Sequence, residues 1–479
     1  MELFGHSDEF FFSLIDTRKK RDGYLIEKID VDSLSLITSK KIQFQEDDKF
    51  RPVLEFPMSM QSSSYLVATK ERAENDTVDI LAYKLNDDLS LSEPILLGRS
   101  TQASLTNQNG FSVFSNDNKS RLIVIIPQEH ADRKNEKFEV RLFDGDMKLL
   151  KSKKLEVPHS SEHLDYVDAV LDENGTLYVL ASIIDQSLDN PDGRRNLAKD
   201  FSLFKYKWEE EKLTEKSLSL GNRWLYDVRF LLNERQNLQV IGYFSTMVDL
   251  VMAGTFSLEI NPKNGDIINQ GISSFDRDFR TKFRPTTSRS RQTEMGRFNL
   301  DYIFPMSNQG ATLISEKAYV ETTSIWNPTT NTYQTITIYN YDEILVTCIN
   351  PDSKIKYNIV IPKYQSSNSF ASIYTSYLAF RRGQSTCILY NDHFRNEEIP
   401  LSSEQGYRQL NSSNNVQIIL AIIDDKGNSK KVKLKDMRDE KVNFNPAFMH
   451  ETENYIVLVA NNPYNTRYFK IKLKSEASQ

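Results

Sequence analysis

One stretch of this sequence has the spacing of a catalytic motif: the HxxEH pattern that runs from His159 to His163. Some zinc peptidases use this pattern to place two histidine ligands on one face of a helix, with the glutamate beside the metal. Here Pro158 precedes the pattern and apolar runs typical of β-strands flank it, so we expect it to lie in a loop. His159 and His163 therefore remain candidate metal ligands, but no zinc-dependent reaction is predicted.

Other catalytic signatures are missing from the sequence. It contains no GxSxG nucleophile elbow, P-loop, GxGxxG or CxxC pattern. The Asp-rich stretch from Asp189 to Gly193 lacks the twelve-residue spacing of a calcium loop and is expected to be an ordinary turn. We therefore predict no catalytic residue and no cofactor. A glycosidase is the enzymatic alternative, since two carboxylates from different strands can meet without leaving a sequence signature.

Charge, hydropathy and cysteine content narrow the class of protein. The 479 residues include 60 basic and 66 acidic side chains, a net charge of -6, whereas nucleic-acid binding needs a concentrated basic surface. No apolar run approaches the roughly 18 residues of a membrane-spanning helix. The first ten residues do not have the composition of an export signal. Cys348 and Cys387 each lie in an apolar run and are predicted to be buried.

A recurrent hairpin organises the whole chain: an apolar run, a turn rich in Asp and Asn, and a second apolar run. Turns such as Asp172–Gly175 supply residues that accept the left-handed backbone conformation of hairpin turns. Repeats of roughly 50 to 90 residues with four short strands each are typical of β-propeller blades. Seven copies begin at Tyr24, Ile80, Phe138, Ser202, Phe256, Ile344 and Ile418, and an incomplete copy begins at Tyr468.

The strands can be assigned blade by blade. Eight strongly apolar segments are predicted as second strands, but only seven innermost strands precede them, because nothing ahead of Phe10 is available for the first blade. We therefore predict an all-β, single-domain β-propeller over 1–475, with eight four-stranded antiparallel blades of which the first and last are incomplete. Seven blades are the alternative. The predicted blades cover approximately 8–45, 50–98, 108–157, 162–220, 222–275, 298–363, 368–437 and 440–475.

Six long insertions are predicted to share one face of the propeller. In antiparallel blades, the loops between second and third strands and the loops between consecutive blades emerge on the same face. A rigid scaffold with one elaborated face is typical of a binding platform. The insertions cover 128–137, 185–200, 276–297, 319–341, 363–375 and 392–415.

The insertion 276–297 is rich in arginine. It is predicted to be a mobile, electropositive arm for an acidic protein, a glycan acid or lipid headgroups. The alternative is a solvated loop without a binding role. The arginines proposed to contact a partner are Arg280, Arg284, Arg289 and Arg291.

The insertion 319–341 alternates Thr, Tyr and Ile around an Asn-Pro tip, which predicts a protruding β-ribbon. Trp326 and Tyr333 near the tip are candidates to anchor a protein or to stack on a sugar ring. Tyr364, in the next insertion, is a further candidate contact residue. The alternative is a ribbon that folds down over its own blade.

Several segments resemble a family of uncharacterised exported proteins of Gram-negative bacteria. They are the runs that begin NRWLYDVRFLL at Asn222, GTFSLEINPKNGD at Gly254, YNYDEILVTCINPD at Tyr339 and SSNSFASIYTSYLAF at Ser366, together with the Tyr/Thr-rich segment from Tyr319. The resemblance extends over almost the whole chain in order and implies a periplasmic, secreted or cell-surface β-propeller without known enzymatic activity. Family members start earlier, with an export signal, an outer strand and an innermost strand, whereas this sequence starts after those elements.

The predicted function is a non-enzymatic protein-binding scaffold of the bacterial cell envelope. The expected partner is another envelope or secreted protein, in a multi-protein assembly or alone, and a glycan is a further possibility. One alternative is a carbohydrate-binding or carbohydrate-cleaving propeller with a site at the channel mouth, which needs aromatic residues beside two carboxylates. Another is a structural spacer, whose insertions would share neither position nor chemistry.

Overall fold

The chain forms two compact units, Met1–Gly221 and Asn222–Gln479. The computed structural model describes residues 2–5, 7, 9–16, 23–42, 44, 52–72, 77–101, 110–128, 135–160, 164–184, 198–246, 251–280, 283, 295–306, 310–327, 331–368, 374–403, 406–438, 443–451, 454–461 and 466–472. No helix within these ranges is long and apolar enough to cross a membrane.

Among the described residues, the first unit contains four antiparallel sheets of four strands each, and each strand pairs with the next one along the chain. Sheet 1 consists of β1 (Glu2–Phe4), β2 (Phe10–Asp16), β3 (Tyr24–Asp30) and β4 (Leu36–Ile42); sheet 2 of β5 (Val53–Ser59), β6 (Ser64–Arg72), β7 (Thr77–Leu85) and β8 (Ile95–Thr101); sheet 3 of β9 (Ser112–Ser115), β10 (Arg121–Pro127), β11 (Glu136–Asp144) and β12 (Leu149–Val157); sheet 4 of β13 (Leu164–Leu171), β14 (Leu177–Ile184), β15 (Ala198–Lys207) and β16 (Lys212–Ser219).

Four further antiparallel sheets lie in the described part of the second unit. Their strands also pair in chain order, except that the short fifth strand of one sheet pairs with its third strand. Sheet 5 consists of β17 (Trp224–Leu232), β18 (Leu238–Ser245), β19 (Gly254–Ile260) and β20 (Ile267–Ser274); sheet 6 of β21 (Phe298–Pro305), β22 (Ala311–Asn327), β23 (Thr332–Ile349), β24 (Ile355–Ile361) and β25 (Gln365–Ser367); sheet 7 of β26 (Tyr377–Arg382), β27 (Ser385–His393), β28 (Val416–Ile423) and β29 (Ser429–Asp436); sheet 8 of β30 (Asn443–Glu451), β31 (Tyr455–Asn461) and β32 (Thr466–Lys472). A helical turn covers Arg277–Arg280, and 3-10 turns cover Phe394–Asn396 and Ser413–Asn415.

Eight consecutive antiparallel sheets of this kind confirm the β-propeller fold class and favour eight blades over seven. The prediction of an incomplete first blade was wrong, because β1 pairs with β2 and supplies the innermost strand. A segment of three residues, Glu2–Phe4, is too short to show a period in the sequence. Sheet 8 has three strands among the described residues.

The burial of each strand follows its position in the sheet. Second strands are the most buried, and every residue of β18 is inaccessible to solvent or nearly so. Outer strands such as β4 and β16 are mostly exposed. Within each unit, apolar side chains of consecutive sheets pack together, and one such core joins Ile241 of sheet 5 to Leu313 of sheet 6. Cys348 and Cys387 are buried and form no disulfide.

Innermost strands carry a recurrent irregularity. The register against the second strand breaks in β5, β13, β17, β21 and β30. In β17 the break falls between Leu225 and Asp227. It brings the carbonyl oxygen of Asp227 so close to Gly242 of β18 that a Cβ atom there would lie 2.1 Å from it. Glycine is therefore required at position 242.

The hairpin turns use their Asp and Asn residues in another way than predicted. The side chain at the start of the turn accepts backbone N–H groups: Asp144 Oδ1 accepts from Asp146 at 3.1 Å and from Lys148 at 2.9 Å. The left-handed residue of this turn is Met147, with a φ of 59°. The turn at Asp172 has the same arrangement, with Gly175 in the left-handed conformation at a φ of 85°. The acidic residues thus close the turns by hydrogen bonding.

Candidate interaction site

Strands β22 and β23 continue well past their neighbours and form a two-stranded ribbon. Their pairing runs without interruption from Ala318 opposite Tyr341 to Asn327 opposite Thr332. Innermost strand β21 pairs with β22 only as far as Lys317, and outer strand β24 pairs with β23 only from Ile344 onward. Thr, Ile, Val and Tyr dominate the ribbon, and these residues favour extended backbone. This ribbon is the candidate interaction site.

An exposed aromatic pair lies at the tip of the ribbon. Trp326 and Tyr333 are cross-strand partners, with ring centroids 5.1 Å apart and an interplanar angle of 65°. The two side chains are 45% and 73% exposed. Val320, six residues from Trp326 and on the same face of the ribbon, is also exposed. Large amphipathic rings in such a position are the residues that most often dominate the energy of protein interfaces.

The base of the ribbon is held by the two insertions that follow it. Strand β25 pairs with Tyr339–Tyr341 of β23. Leu410, in the connection between β27 and β28, accepts a hydrogen bond from the backbone of Ser366 at 2.9 Å and donates one to the carbonyl of Tyr364 at 2.8 Å. The insertions from sheets 6 and 7 therefore meet at one end of these sheets and support the ribbon.

Two buried ion pairs lie within this base. Lys363 Nζ is 2.7 Å from Glu316 Oε1, and both side chains are almost inaccessible to solvent. The same ammonium donates hydrogen bonds to the carbonyl of Tyr341 at 3.0 Å and to Gln365 Oε1 at 2.9 Å. Lys317 Nζ lies 3.7 Å from Glu343 Oε2, again with both side chains buried. Charges removed from water in this way are tolerated only with close partners, so they fix the geometry of the base.

A third buried carboxylate has a perturbed pKa. Asp342 follows the ribbon in β23, and Tyr319 donates a hydrogen bond of 2.8 Å to its Oδ2. Burial and the neighbouring Glu343 raise the pKa of Asp342 to about 7, although the tyrosine hydroxyl and the ammonium groups of Lys363 and Lys317 oppose the shift. The ionised form of this carboxylate therefore destabilises the folded state.

Replacement of Asp342 by asparagine is expected to change the pH dependence of stability. An ordinary aspartate in the unfolded chain has a pKa of about 3.9, so the folded protein binds more protons than the unfolded protein between about pH 4 and about pH 7. Because of Asp342, the stability of the natural chain should therefore fall as the pH rises through this window. The free energy of unfolding of D342N, relative to that of the natural chain, should therefore increase by about 2 kcal/mol from about pH 5.5 to about pH 7.5. Urea unfolding at the two pH values measures this difference, and an equal offset at both would contradict the assignment.

Tyr364, predicted as a partner-contact residue, is buried instead. It is 8% exposed, and its hydroxyl donates to Glu343 Oε1 at 3.4 Å. Its ring packs against Tyr407, with centroids 6.3 Å apart. Tyr364 therefore belongs to the supporting base of the ribbon, where it stabilises the buried charges, and not to the exposed surface.

The arginine-rich insertion is described only in part. Arg280 is exposed at the end of the helical turn Arg277–Arg280, and its backbone N–H donates to the carbonyl of Asp276. Phe283 is buried and packs edge-on against Phe298 at 5.3 Å. The other proposed contact residues, Arg284, Arg289 and Arg291, lie outside the described residues.

The candidate metal ligands are not brought together as a zinc site within the described residues. His159 Nε2 lies 2.8 Å from Glu215 Oε1, an oxygen that also accepts a hydrogen bond from Ser202 Oγ at 2.7 Å. Residues 158–160 have no helical structure, and His163 lies outside the described residues. Among the residues that the structure describes, no group of three possible ligands is close enough to hold a metal ion.

Asp227 and Asp301, on innermost strands β17 and β21, are relevant to the alternative prediction of a carbohydrate-cleaving site. Asp227 accepts hydrogen bonds from the backbone N–H groups of Val228 at 2.9 Å and Leu300 at 2.8 Å. Asp301 accepts a hydrogen bond of 2.8 Å from the hydroxyl of Tyr377. The carboxylates of Asp227 and Asp301 are thus both held by hydrogen bonds from neighbouring strands.

Comparison with known proteins gives no relative in sequence: no family model matches, and no curated protein matches. Solved structures with similar arrangements include the β-propeller domain of the Trilobed protease from Pyrococcus furiosus, with 9% identity, a TM-score of 0.36 and coverage of 90% of this chain and 98% of that chain. A variant of the Synechocystis apocarotenoid oxygenase has 8% identity, a TM-score of 0.34 and coverage of 95% and 85%. A protein of unknown function from Dyadobacter fermentans has 7% identity, a TM-score of 0.31 and coverage of 75% and 92%. Likeness at this level carries no functional information, and the fold assignment rests on the sheets themselves.

Proposed function

We propose that this protein is a protein-binding scaffold that contacts its partner through the tip of the β22–β23 ribbon. The observation that carries the proposal is the exposed aromatic pair Trp326–Tyr333 at the end of a ribbon whose base is fixed by buried ion pairs. Trp and Tyr are enriched among the few interface residues whose truncation costs a protein complex about 2 kcal/mol or more. A ribbon fixed at its base also loses little freedom on binding, which favours affinity.

The cell envelope is the proposed location. The support is the resemblance of the segments from Asn222, Gly254, Tyr339 and Ser366 to exported proteins of Gram-negative bacteria. The proposed partner is accordingly another envelope or secreted protein.

The test is photo-crosslinking in cells of the source organism, with a photoreactive phenylalanine in place of Tyr333. We expect a specific protein to be recovered in the envelope fraction. With the photoreactive residue moved to Thr335, which is exposed on the same face, the change Trp326→Ala together with Tyr333→Ala should reduce recovery of that protein at least tenfold.

The matched control is the double change Leu36→Ala and Ile37→Ala, which removes two exposed apolar side chains of outer strand β4. This variant should recover the partner as the natural chain does. Equal recovery by the aromatic double variant would overturn the proposed site, and recovery of a glycan in place of a protein would support the carbohydrate alternative. Recovery from the cytosol alone would overturn the proposed location.

A further inference from the structure

Along the ribbon, the edge of β22 that faces away from β23 has no paired strand among the described residues. On that side β21 pairs with β22 as far as Lys317, and the backbone N–H of Ala318 donates to the carbonyl of Arg297 at 2.9 Å. From Tyr319 to Asn327, no strand within the described parts of the chain pairs with this edge. Unpaired strand edges of this length are templates for the addition of another strand.

The direction of the backbone groups along this edge follows from the contact of Ala318. Because its N–H points away from β23, toward Arg297, the alternation of an antiparallel ladder places the backbone groups of every second residue in the same outward direction. The residues concerned are Val320, Thr322, Ser324 and Trp326. The edge therefore offers a regular row of donors and acceptors that the ribbon itself does not use.

This edge lacks the features that usually prevent strand addition. Its nine residues, Tyr319–Asn327, include a single charged residue, Glu321, and no proline or lysine. Natural sheets discourage edge pairing with lysines and prolines. Several outer strands of this chain do so: the lysines are Lys40 and Lys41 in β4, Lys151, Lys153 and Lys154 in β12, Lys212 and Lys216 in β16, and Lys430, Lys431, Lys433 and Lys435 in β29.

We propose that a second copy of this chain occupies the edge, so that two ribbons pair antiparallel about a two-fold axis at Thr323 and form a four-stranded sheet. This inference rests on the proposed protein-binding function of the ribbon and adds a second copy of the chain at the edge of β22, besides the protein proposed to bind the tip. The open stretch is centred on Thr323, so this register pairs all nine residues of both copies. A two-fold axis is the common symmetry of homodimers, and it makes the contact self-complementary.

The proposed register is also compatible with the charged and apolar side chains along the edge. It places Glu321 of one copy opposite the uncharged Ile325 of the other, so the two carboxylates do not face each other across the strands. It places Val320 opposite Trp326, two side chains that are 43% and 45% exposed in the single chain. Cross-strand pairs of an aromatic and a β-branched residue stabilise sheets.

The test is the oligomeric state of the full chain by analytical ultracentrifugation. The natural chain of 55.5 kDa should sediment as a dimer. The change Thr322→Pro removes an outward N–H that the ribbon does not use, and it should raise the dimer dissociation constant at least tenfold. The control, Thr322→Val, keeps the N–H and a β-branched side chain and should leave the dimer unchanged.

A crosslink tests the register without a proline. Oxidised Thr323→Cys should form a disulfide between copies, since directly opposed residues in an antiparallel pair have Cα atoms about 4.5 to 5.5 Å apart. Val320→Cys should not, because its copies lie six positions apart along the pairing. A monomeric natural chain, a dimer unaffected by Thr322→Pro, or a crosslink at position 320 in place of 323 would overturn the inference. A monomer that still recovers another protein through the aromatic tip would overturn self-pairing while leaving the proposed function intact.

Discussion

Replacement of Lys363 by methionine is expected to lower the free energy of unfolding of the second unit by about 3 to 5 kcal/mol. The side chain of Lys363 is inaccessible to solvent, and its ammonium is the ion-pair partner of the buried Glu316 carboxylate at 2.7 Å. Methionine has a similar length, so the packing is largely kept while the carboxylate loses its counter-charge. Urea-induced unfolding monitored by circular dichroism measures the change.

An exposed ion pair of the same unit provides the matched control. Lys354 lies 2.8 Å from Asp352, but its side chain is 79% exposed. Lys354→Met should cost less than about 1 kcal/mol, as expected for a surface pair. Adding Glu316→Gln to Lys363→Met removes the unpaired buried charge and should restore part of the lost stability. Equal effects of Lys363→Met and Lys354→Met would show that the buried pair does not hold the base of the ribbon.

Replacement of Gly242 by alanine is the second change with a large expected effect. A Cβ atom at this position would lie 2.1 Å from the carbonyl oxygen of Asp227 and 2.8 Å from Cα of Val228. Both contacts are with backbone, so no rotation of a side chain relieves them. The strands β17 and β18 must separate, and we expect a loss of about 3 kcal/mol in the free energy of unfolding.

The control for this change is Gly145→Ala in the first unit. A Cβ atom at Gly145 would lie 3.7 Å from the nearest carbonyl oxygens, those of Lys119 and Ser120, an ordinary contact distance. Thermal unfolding should show little effect of Gly145→Ala and a clear decrease in midpoint for Gly242→Ala. A small effect at both positions would mean that β17 can shift to accommodate the added Cβ atom with little loss of stability.

Much of the fold could be predicted from the sequence because the second strands are unusually apolar. Segments such as Leu238–Ser245 are buried on both faces, and their continuous apolar character marks one strand in every blade. The ribbon could be predicted for another reason, since Thr, Tyr and Ile alternate on both sides of a tight tip. In contrast, β1 could not be predicted, because its three residues are too few to show the apolar pattern of a strand. Only the pairing with β2 in the folded sheet identifies it.

The supporting base of the ribbon could not be predicted. Glu316, Lys317 and Glu343 are charged residues next to a long insertion, a pattern that normally indicates a solvated surface. Their burial results from the docking of β25 and of the connection that contains Leu410, which are distant in sequence. Tyr364 was misassigned for the same reason, since an aromatic residue in a polar insertion gives no sign of which way its side chain will point.

The length of the ribbon has a mechanical consequence. The nine residues Tyr319–Asn327 extend over about 30 Å at about 3.3 Å per residue, so a rotation of about one degree at the base displaces the far end by about 0.5 Å. The orientation of the ribbon thus depends on electrostatic interactions, because ammonium and carboxylate groups surround the point where the ribbon leaves its sheet. A small shift of those charged groups would therefore produce a larger displacement of the aromatic rings at the far end of the ribbon.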